Sequence, residues 1–342
     1  MSRILQIIGI LIFVSGCNSE KSELQELWIG KYSVHHSNSE NESISDGQRK
    51  ILRFKKDSLQ IKNFYFDFIT DTNDIHTIKY QVKSDRILLN EKNGIDTFNY
   101  KFSLDSLLLS YYNQYPRKSV YQKLPKYNLA SKELELYKLL TSSSFEILDS
   151  IRIEFKNDGR LIIPNFNLSI GDNQFWMIDK YKGELFLVID GFSGFIFHIS
   201  EINLERVGGI IYGKVDKKIF FNKLPQKTNN KIDDLIGEWV ELRIEEISAP
   251  PPFIENKRDF FDKEELLITD STIIKSKFFR IDTIQWETNR EEDLIVLPKL
   301  DLPIRQKKWR IISLTSKELI IERIPRVNLD GNQIEIIKYK RK

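Results

Sequence analysis

Three stretches of about a hundred residues pass through the same succession of landmarks, and this internal periodicity constrains the fold more than any single motif. The first opens Leu27-Trp28-Ile29-Gly30-Lys31-Tyr32 and the third Asp234-Leu235-Ile236-Gly237-Glu238-Trp239, each a hydrophobic pair, a glycine and an aromatic two places on. The second is degenerate, with Leu139-Leu140, then Ser143 in the glycine position, then Phe145. Each stretch continues into a strand interrupted by a turn, at Asp57-Ser58, Asp158-Gly159 and Asp270-Ser271. An aromatic strand follows at Tyr80, Trp176 and Trp286, and then an aliphatic one at Ile87-Leu88-Leu89, Leu185-Phe186-Leu187 and Leu294-Ile295-Val296. The stretches close on Gln122-Lys123-Leu124-Pro125, Asn222-Lys223-Leu224-Pro225 and Ile337-Lys338-Tyr339-Lys340. This recurrence predicts three repeats over residues 17–126, 127–228 and 229–342.

Within the repeats, apolar and polar residues alternate with period two, as in Ile151-Arg152-Ile153-Glu154-Phe155, which is the pattern of half-buried strands. Asn93-Gly94, Asp158-Gly159 and Asp330-Gly331 supply the positive φ values of tight hairpins. With 41% hydrophobic and 12% aromatic residues the chain can bury its cores, and the predicted class is all-β and antiparallel. Ahead of each opening, Ser22 to Leu27, Ser131 to Leu140 and Asn230 to Ile236 begin on a capping-type residue and space apolar residues three or four apart. Each predicts a short helix preceding its repeat, with Leu136, Leu139 and Leu140 as the buried face of the second.

The amino terminus is of another kind. Arg3 precedes an uncharged run from Ile4 to Val14, then Ser15, Gly16 and Cys17. An apolar run this short cannot cross the ~30 Å hydrocarbon core comfortably, and the order of basic, apolar and small residues reads as a leader, residues 1–16. Val14-Ser15-Gly16-Cys17 resembles the lipobox of bacterial lipoproteins, which implies cleavage before Cys17 and acylation of its sulfur. Cys17 is the single cysteine of the chain and stands where acylation requires one. The resemblance implies a membrane tether and a place in the cell envelope. Asn18, where an aspartate commonly retains such proteins in the inner membrane, favours the outer membrane, with periplasmic or surface exposure left open.

A short helix followed by Gly-x-Trp entering an antiparallel meander is similar to the opening of lipocalins, best matched by Gly237 and Trp239. The resemblance implies three small lipocalin-like barrels or sheets in which Tyr32, Phe145 and Trp239 plug the closed ends as structural aromatics. It also implies long loops near the open mouths, at His35 to Gln48 and at Glu245 to Asp262, the latter carrying Pro250-Pro251-Pro252.

Chemistry-bearing patterns are sparse. His35 and His36 are adjacent, so in a strand they point to opposite faces and cannot share an ion. His76 near Asp71 and Asp74 lacks a recognised ligand spacing, and His198 lies inside an apolar strand. No nucleophile elbow or phosphate-binding glycine loop occurs; Gly191-Phe192-Ser193-Gly194 has the wrong spacing. No catalytic residue, metal site or cofactor is assigned. Loss of Arg3 with the leader takes the formal charge from +3 to +2, too little to mark a nucleic-acid binder. Asp57-Ser58-Leu59, Asp105-Ser106-Leu107, Asp149-Ser150-Ile151 and Asp282-Thr283-Ile284 read first as turns entering strands, and also resemble the Asp-Ser/Thr-aliphatic sites glycosylated in some bacterial envelope proteins. The expectation is a non-enzymatic binding or interaction lipoprotein with a protein or glycan partner, a class that includes proteins of inhibitor or immunity type. The alternative is a lipocalin-like binder of a small apolar ligand.

Overall fold

A computed structural model describes residues 24–36, 42–46, 50–64, 75–91, 94–103, 105–111, 116–148, 151–163, 175–189, 195–225, 232–242, 263–277, 279–290, 293–298, 308–323 and 335–342. Residues 1–16, Cys17, Asp71, Asp74, Asp149-Ser150, Gly191–Gly194, the segment Glu245 to Asp262 and Asp330-Gly331 lie outside these residues. The chain is all-β, with three tandem antiparallel repeats.

The first sheet comprises β1 (Leu27–His36), β2 (Glu42–Asp46), β3 (Lys50–Phe54), β4 (Ser58–Asn63), β5 (Ile75–Lys83), β6 (Arg86–Glu91), β7 (Gly94–Ser103), β8 (Ser106–Tyr111) and β9 (Arg117–Lys123). The second comprises β10 (Ser144–Ile147), β11 (Ile151–Phe155), β12 (Leu161–Ile162), β13 (Trp176–Tyr181), β14 (Glu184–Ile189), β15 (Phe195–Ile202), β16 (Arg206–Ile211) and β17 (Lys217–Lys223). The third comprises β18 (Gly237–Leu242), β19 (Glu265–Ile268), β20 (Thr272–Lys277), β21 (Arg280–Gln285), β22 (Glu287–Thr288), β23 (Leu294–Val296), β24 (Lys308–Leu314), β25 (Glu318–Arg323) and β26 (Glu335–Arg341).

All three sheets are meanders that return on themselves. In the first, β1 pairs with β9, while β2 and β3 occupy successive halves of its other edge. In the third, β18 pairs with β26, and the edge strands β21 and β22 are separated in the chain by Trp286 alone. In the second, β10 pairs with β17, and a bridge between Arg160 and Phe175 joins the two edges. Ring closure leaves few unpaired edges, which are the aggregation hazard of open sheets.

The repeats correspond residue by residue. Trp28, Phe145 and Trp239 face Leu52, Ile153 and Leu266 on the following strand, and Lys123, Lys223 and Arg341 on the last strand. The next amide along, of Leu124, Leu224 or Lys342, donates to the carbonyl of Leu27, Ser144 or Glu238. The amides of Tyr80, Trp176 and Trp286 donate to the carbonyls of Asp57, Gly159 and Ser271 in the first turn. Their side chains reach the same turn: Tyr80 Oη donates to Lys55 O (2.5 Å), Trp176 Nε1 to Lys156 O (3.0 Å) and Trp286 Nε1 to Thr269 O (2.9 Å). A buried aromatic with a polar tip needs such a partner.

This correspondence corrects two alignments. The closed end of the first repeat is filled by Trp28, 2% exposed, and not by Tyr32, which is only partly buried. Trp28 Nε1 donates to Leu24 O at 3.3 Å as Trp239 Nε1 donates to Leu235 O at 2.8 Å, four residues back in each case. Gly30-x-Tyr32 reproduces the spacing of Gly237-x-Trp239 four residues too late, beyond a register shift in β1. The position equivalent to Gly237 is Glu26. In the third repeat, Lys340-Arg341-Lys342 takes the place of Gln122-Lys123-Leu124, so the final landmark slides along β26 from Lys338.

Helix α1 (Glu133–Ser142) precedes the second repeat and buries Leu136 and Leu140; α2 (Ile232–Leu235) precedes the third and buries Leu235. Ahead of the first repeat, Leu24 lies in a helical turn. The described residues form two compact units, one within Met1–Leu134, Met177–Asn203 and Val207–Phe220, the other within Glu135–Trp176, Leu204–Arg206 and Phe221–Lys342.

Candidate functional site

The interior of the third barrel is apolar at its closed end and charged towards its open end. Trp239, Leu266, Leu319, Ile321 and Ile337 form the closed half, within a larger buried cluster. Strand alternation carries the same inward face on to Glu264, Lys275, Arg323, Glu335 and Tyr339. Glu264 is fully buried. It accepts from Arg323 Nη1 at 2.7 Å and Nη2 at 3.0 Å, from Tyr339 Oη at 2.7 Å, and from Lys275 Nζ at 2.8 Å. Its backbone is pinned by Glu241, which donates its amide to Glu264 O (2.9 Å) and accepts the Glu264 amide on Oε2 (2.8 Å). Arg323 also donates to Glu335 Oε2 at 3.1 Å and lies over the Trp309 ring, 5.3 Å from its centroid.

The electrostatics follow from these contacts. Burial alone would raise the Glu264 carboxyl, but the bidentate Arg323 and the Lys275 ammonium hold it down at about 2. Burial lowers Lys275 and raises the Tyr339 phenol. The site therefore sets the Glu264 carboxylate against Arg323 and Lys275, with Glu335 as a second acceptor for Arg323. Taking such groups out of water is costly, and buried ion pairs are often no more stable than well-packed apolar replacements.

The other repeats make that comparison internally. At the positions of Glu264, Lys275, Arg323 and Tyr339, the first repeat has Lys50, Ile61, Tyr111 and Tyr121, with Lys50 Nζ 5.7 Å from the Tyr121 ring centroid. The second has Ile151, Ile163, Ile211 and Phe221. Aromatic side chains pack closely there: Phe155 lies 5.1 to 6.0 Å from the rings of Phe145, Trp176 and Phe221, and a Cβ added at Gly209 would stand 3.0 Å from Phe197 Cβ. Only the third repeat combines buried acid, arginine and lysine at this level.

A second polar cluster belongs to the first compact unit. His198 in β15 is fully buried; its Nε2 contacts Glu184 Oε2 at 3.1 Å and its Nδ1 contacts Tyr212 Oη at 2.8 Å. Glu184 also accepts the amides of Tyr127 (2.9 Å) and Asn128 (3.3 Å), in the segment between the first two repeats. Burial lowers the His198 pKa against the opposing pull of Glu184 and raises the Tyr212 phenol. With His198 and Glu184 sealed at 0% and 1% side-chain exposure, the cluster has no surface for a substrate and acts as an internal strut. Lys62 with Asp179 (2.7 Å) and Lys31 with Asp216 (3.0 Å) brace the same unit.

The remaining histidines stay apart. His35 and His36 lie in β1 opposite Ser43 and Glu42, and His76 is exposed in β5 opposite Ile61. Among the described residues, no group of three or more His, Cys, Asp or Glu could hold a metal ion. Asp57-Ser58 and Asp105-Ser106 lie at turns entering β4 and β8, whereas Asp282-Thr283-Ile284 runs along β21.

No protein family and no curated protein matches the sequence. Among solved structures, the chain is similar to a double mutant of the vaccine antigen transferrin binding protein B from Haemophilus parasuis. That likeness has 6% identity over 92% of this chain and 75% of the other, with a TM-score of 0.18. A DNA polymerase sliding clamp from Pseudomonas aeruginosa gives 6% identity over 93% and 92% of the chains, with a TM-score of 0.13. At these scores neither likeness carries an argument.

The charged site went unnoticed in the sequence because its members are scattered between residues 264 and 339 without a motif. The available signal was parity: Lys275 follows Ile273, Arg323 follows Ile321, and Glu264 precedes Leu266, each a charge on a face that is otherwise apolar.

Proposed function

We propose that this chain is a non-enzymatic binding lipoprotein of the bacterial envelope, tethered through Cys17, whose third barrel engages a protein or glycan partner at its open end. The observation that supports this reading is the buried charged cluster around Glu264, found in one repeat of three. A barrel selected for stability alone has little use for it, since the second repeat fills the equivalent positions with Ile151, Ile163, Ile211 and Phe221. The same cluster weighs against an apolar small ligand in the third barrel, because a polar interior offers such a ligand poor company. Phe279, at the hairpin tip between β20 and β21 on the open side of the third barrel, is fully exposed and gives a partner an aromatic anchor.

Two measurements test the reading. Cells fed a clickable palmitate analogue should label the wild-type chain and not Cys17→Ala. A photo-crosslinking residue at Phe279 should yield one discrete adduct in the native cell, and the same residue at Ile95, exposed on the first repeat, should not. Unlabelled wild type removes the anchor; absence of an adduct at Phe279, or equal adducts at both sites, removes the third-barrel assignment.

A further inference from the structure

The closed ends of the three barrels differ in how they treat one basic side chain. In the first repeat, Lys123, which faces Trp28, pairs with Glu26 Oε1 at 3.0 Å. In the third, Arg341 lies over Trp239, 5.1 Å from the ring centroid, and donates to the carbonyls of Asp234 (3.0 Å) and Ile236. It can lie so close because residue 237 is glycine; a Cβ there would stand 3.0 Å from Arg341 Nη2. The second repeat has Lys223 and Ser143 at these positions. Serine supplies neither the carboxylate of Glu26 nor the clear path of Gly237. Lys223 is exposed, and its ammonium has no side-chain partner among the described residues.

Lys223 and Ser143 line a cleft of ≈ 510 Å³ together with Ser142, Glu205, Leu224 and Pro225. Ser142 Oγ donates to Leu139 O at 3.3 Å and lies 3.5 Å from Ser143 Oγ, so the two hydroxyls form one polar wall. The Lys223 amide donates to Glu205 O at 2.7 Å, holding the basic and acidic residues along the same edge. We propose that this cleft binds a sugar bearing a carboxylate, a uronic acid or the uronic acid end of a glycan. The sugar's carboxylate takes the part that Glu26 plays towards Lys123. Its hydroxyls donate to Glu205 and exchange hydrogen bonds with Ser142 and Ser143, while its C–H face lies on Leu224 and Pro225. Glu205 is what separates this ligand from a simple carboxylate or a peptide carboxyl terminus: it repels a bare anion but accepts from a diol. The inference is independent of the third-barrel reading.

The test is calorimetric titration of the full chain with sodium D-glucuronate, beside D-glucose and sodium acetate as probes with only one of the two chemistries. Glucuronate should bind, and glucose and acetate should bind at least about tenfold more weakly, since each lacks interactions of roughly 1.4 kcal/mol or more. Lys223→Gln, at an exposed position that should not affect folding, should weaken glucuronate about tenfold. Ser143→Glu should restore the arrangement of the first repeat, pair with Lys223 and abolish binding; circular dichroism verifies that this variant is folded. Absence of heat with glucuronate up to about 20 mM, a limit near −2.3 kcal/mol, overturns the proposal, as does unchanged affinity in Lys223→Gln or equal binding of acetate.

Discussion

Replacing Glu264 with glutamine tests the account of the third barrel most directly. The substitution keeps the size of the side chain and one accepting oxygen but removes the charge that holds Arg323 and Lys275. Arg323, with a side-chain exposure of 7%, is then left with Glu335 at 3.1 Å. Breaking a buried pair by removing one partner costs about 3–5 kcal/mol. The proton linkage leads to a similar figure by another route. A carboxyl held at about 2 instead of 4.5 stabilises the fold by about 3 kcal/mol at neutral pH, taking ~1.4 kcal/mol per pH unit. Because the folded value lies below the unfolded one, this stability is present above pH 4.5 and is lost as pH falls through about 2. Urea unfolding followed by tryptophan fluorescence reads the effect, since Trp239, Trp286 and Trp309 belong to this barrel. The variant should be less stable by about 3 kcal/mol at pH 7, and the deficit should shrink steadily from pH 4.5 towards 2. A deficit below about 1 kcal/mol at pH 7, or one that does not change with pH, would refute the reasoning.

Other outcomes follow from the same contacts. Trp28→Ala should cost about 3–5 kcal/mol in denaturant unfolding, and Tyr32→Ala less than about 1; the reverse order would restore Tyr32 as the closing aromatic. Gly237→Ala should lower stability by about 1–3 kcal/mol, because φ there is +149° and the new methyl meets Arg341; an unchanged melting temperature counts against the strain. Glu154, buried and accepting the Arg290 amide at 3.1 and 3.2 Å, has its pKa raised chiefly by burial. Stability from its protonated form is present below pH 4.5 and lost as pH rises through the raised value, so Glu154→Gln should melt no lower than wild type at pH 7.5; a clear drop would show that the charge stabilises the fold. His198 has its pKa lowered by burial, so the stability of the neutral ring is present above pH 6.5 and is lost as pH falls through the lowered value. Hydrogen exchange at the Tyr127 and Asn128 amides, which Glu184 accepts, should accelerate over that interval beyond the intrinsic pH dependence; flat protection would argue against the strut.

Much of the architecture was legible along the chain because it is carried by local signals. Alternation sets which residues of a strand face inward, and turn residues set where strands reverse. Tyr80, Trp176 and Trp286 were therefore matched correctly across the repeats, and their side chains meet equivalent turns. The alignment failed where two local patterns competed. Gly30-x-Tyr32 imitates Gly237-x-Trp239 in sequence, but Trp28 makes the contact because it stands four residues after Leu24 at the end of a helical turn. Spacing from a glycine is a one-dimensional cue, whereas the closing position is defined by what lies across the barrel: Leu52 on one side and Lys123 on the other.

The charged site shows the same division more sharply. Sequence alone determined that the chain would form three all-β repeats and which side chains would share a strand face, because those properties depend on residues within a few positions of one another. It also places the single cysteine, Cys17, at the end of an uncharged run, which is the basis of the proposed tether. Only the tertiary structure decided that Glu264, Lys275, Arg323, Glu335 and Tyr339 meet, and that the Lys223 ammonium, among the described residues, has no side-chain partner where Lys123 has Glu26. Ring closure brings together strands far apart in the chain, and against the raising effect of burial the Arg323 and Lys275 charges so assembled hold the Glu264 pKa down.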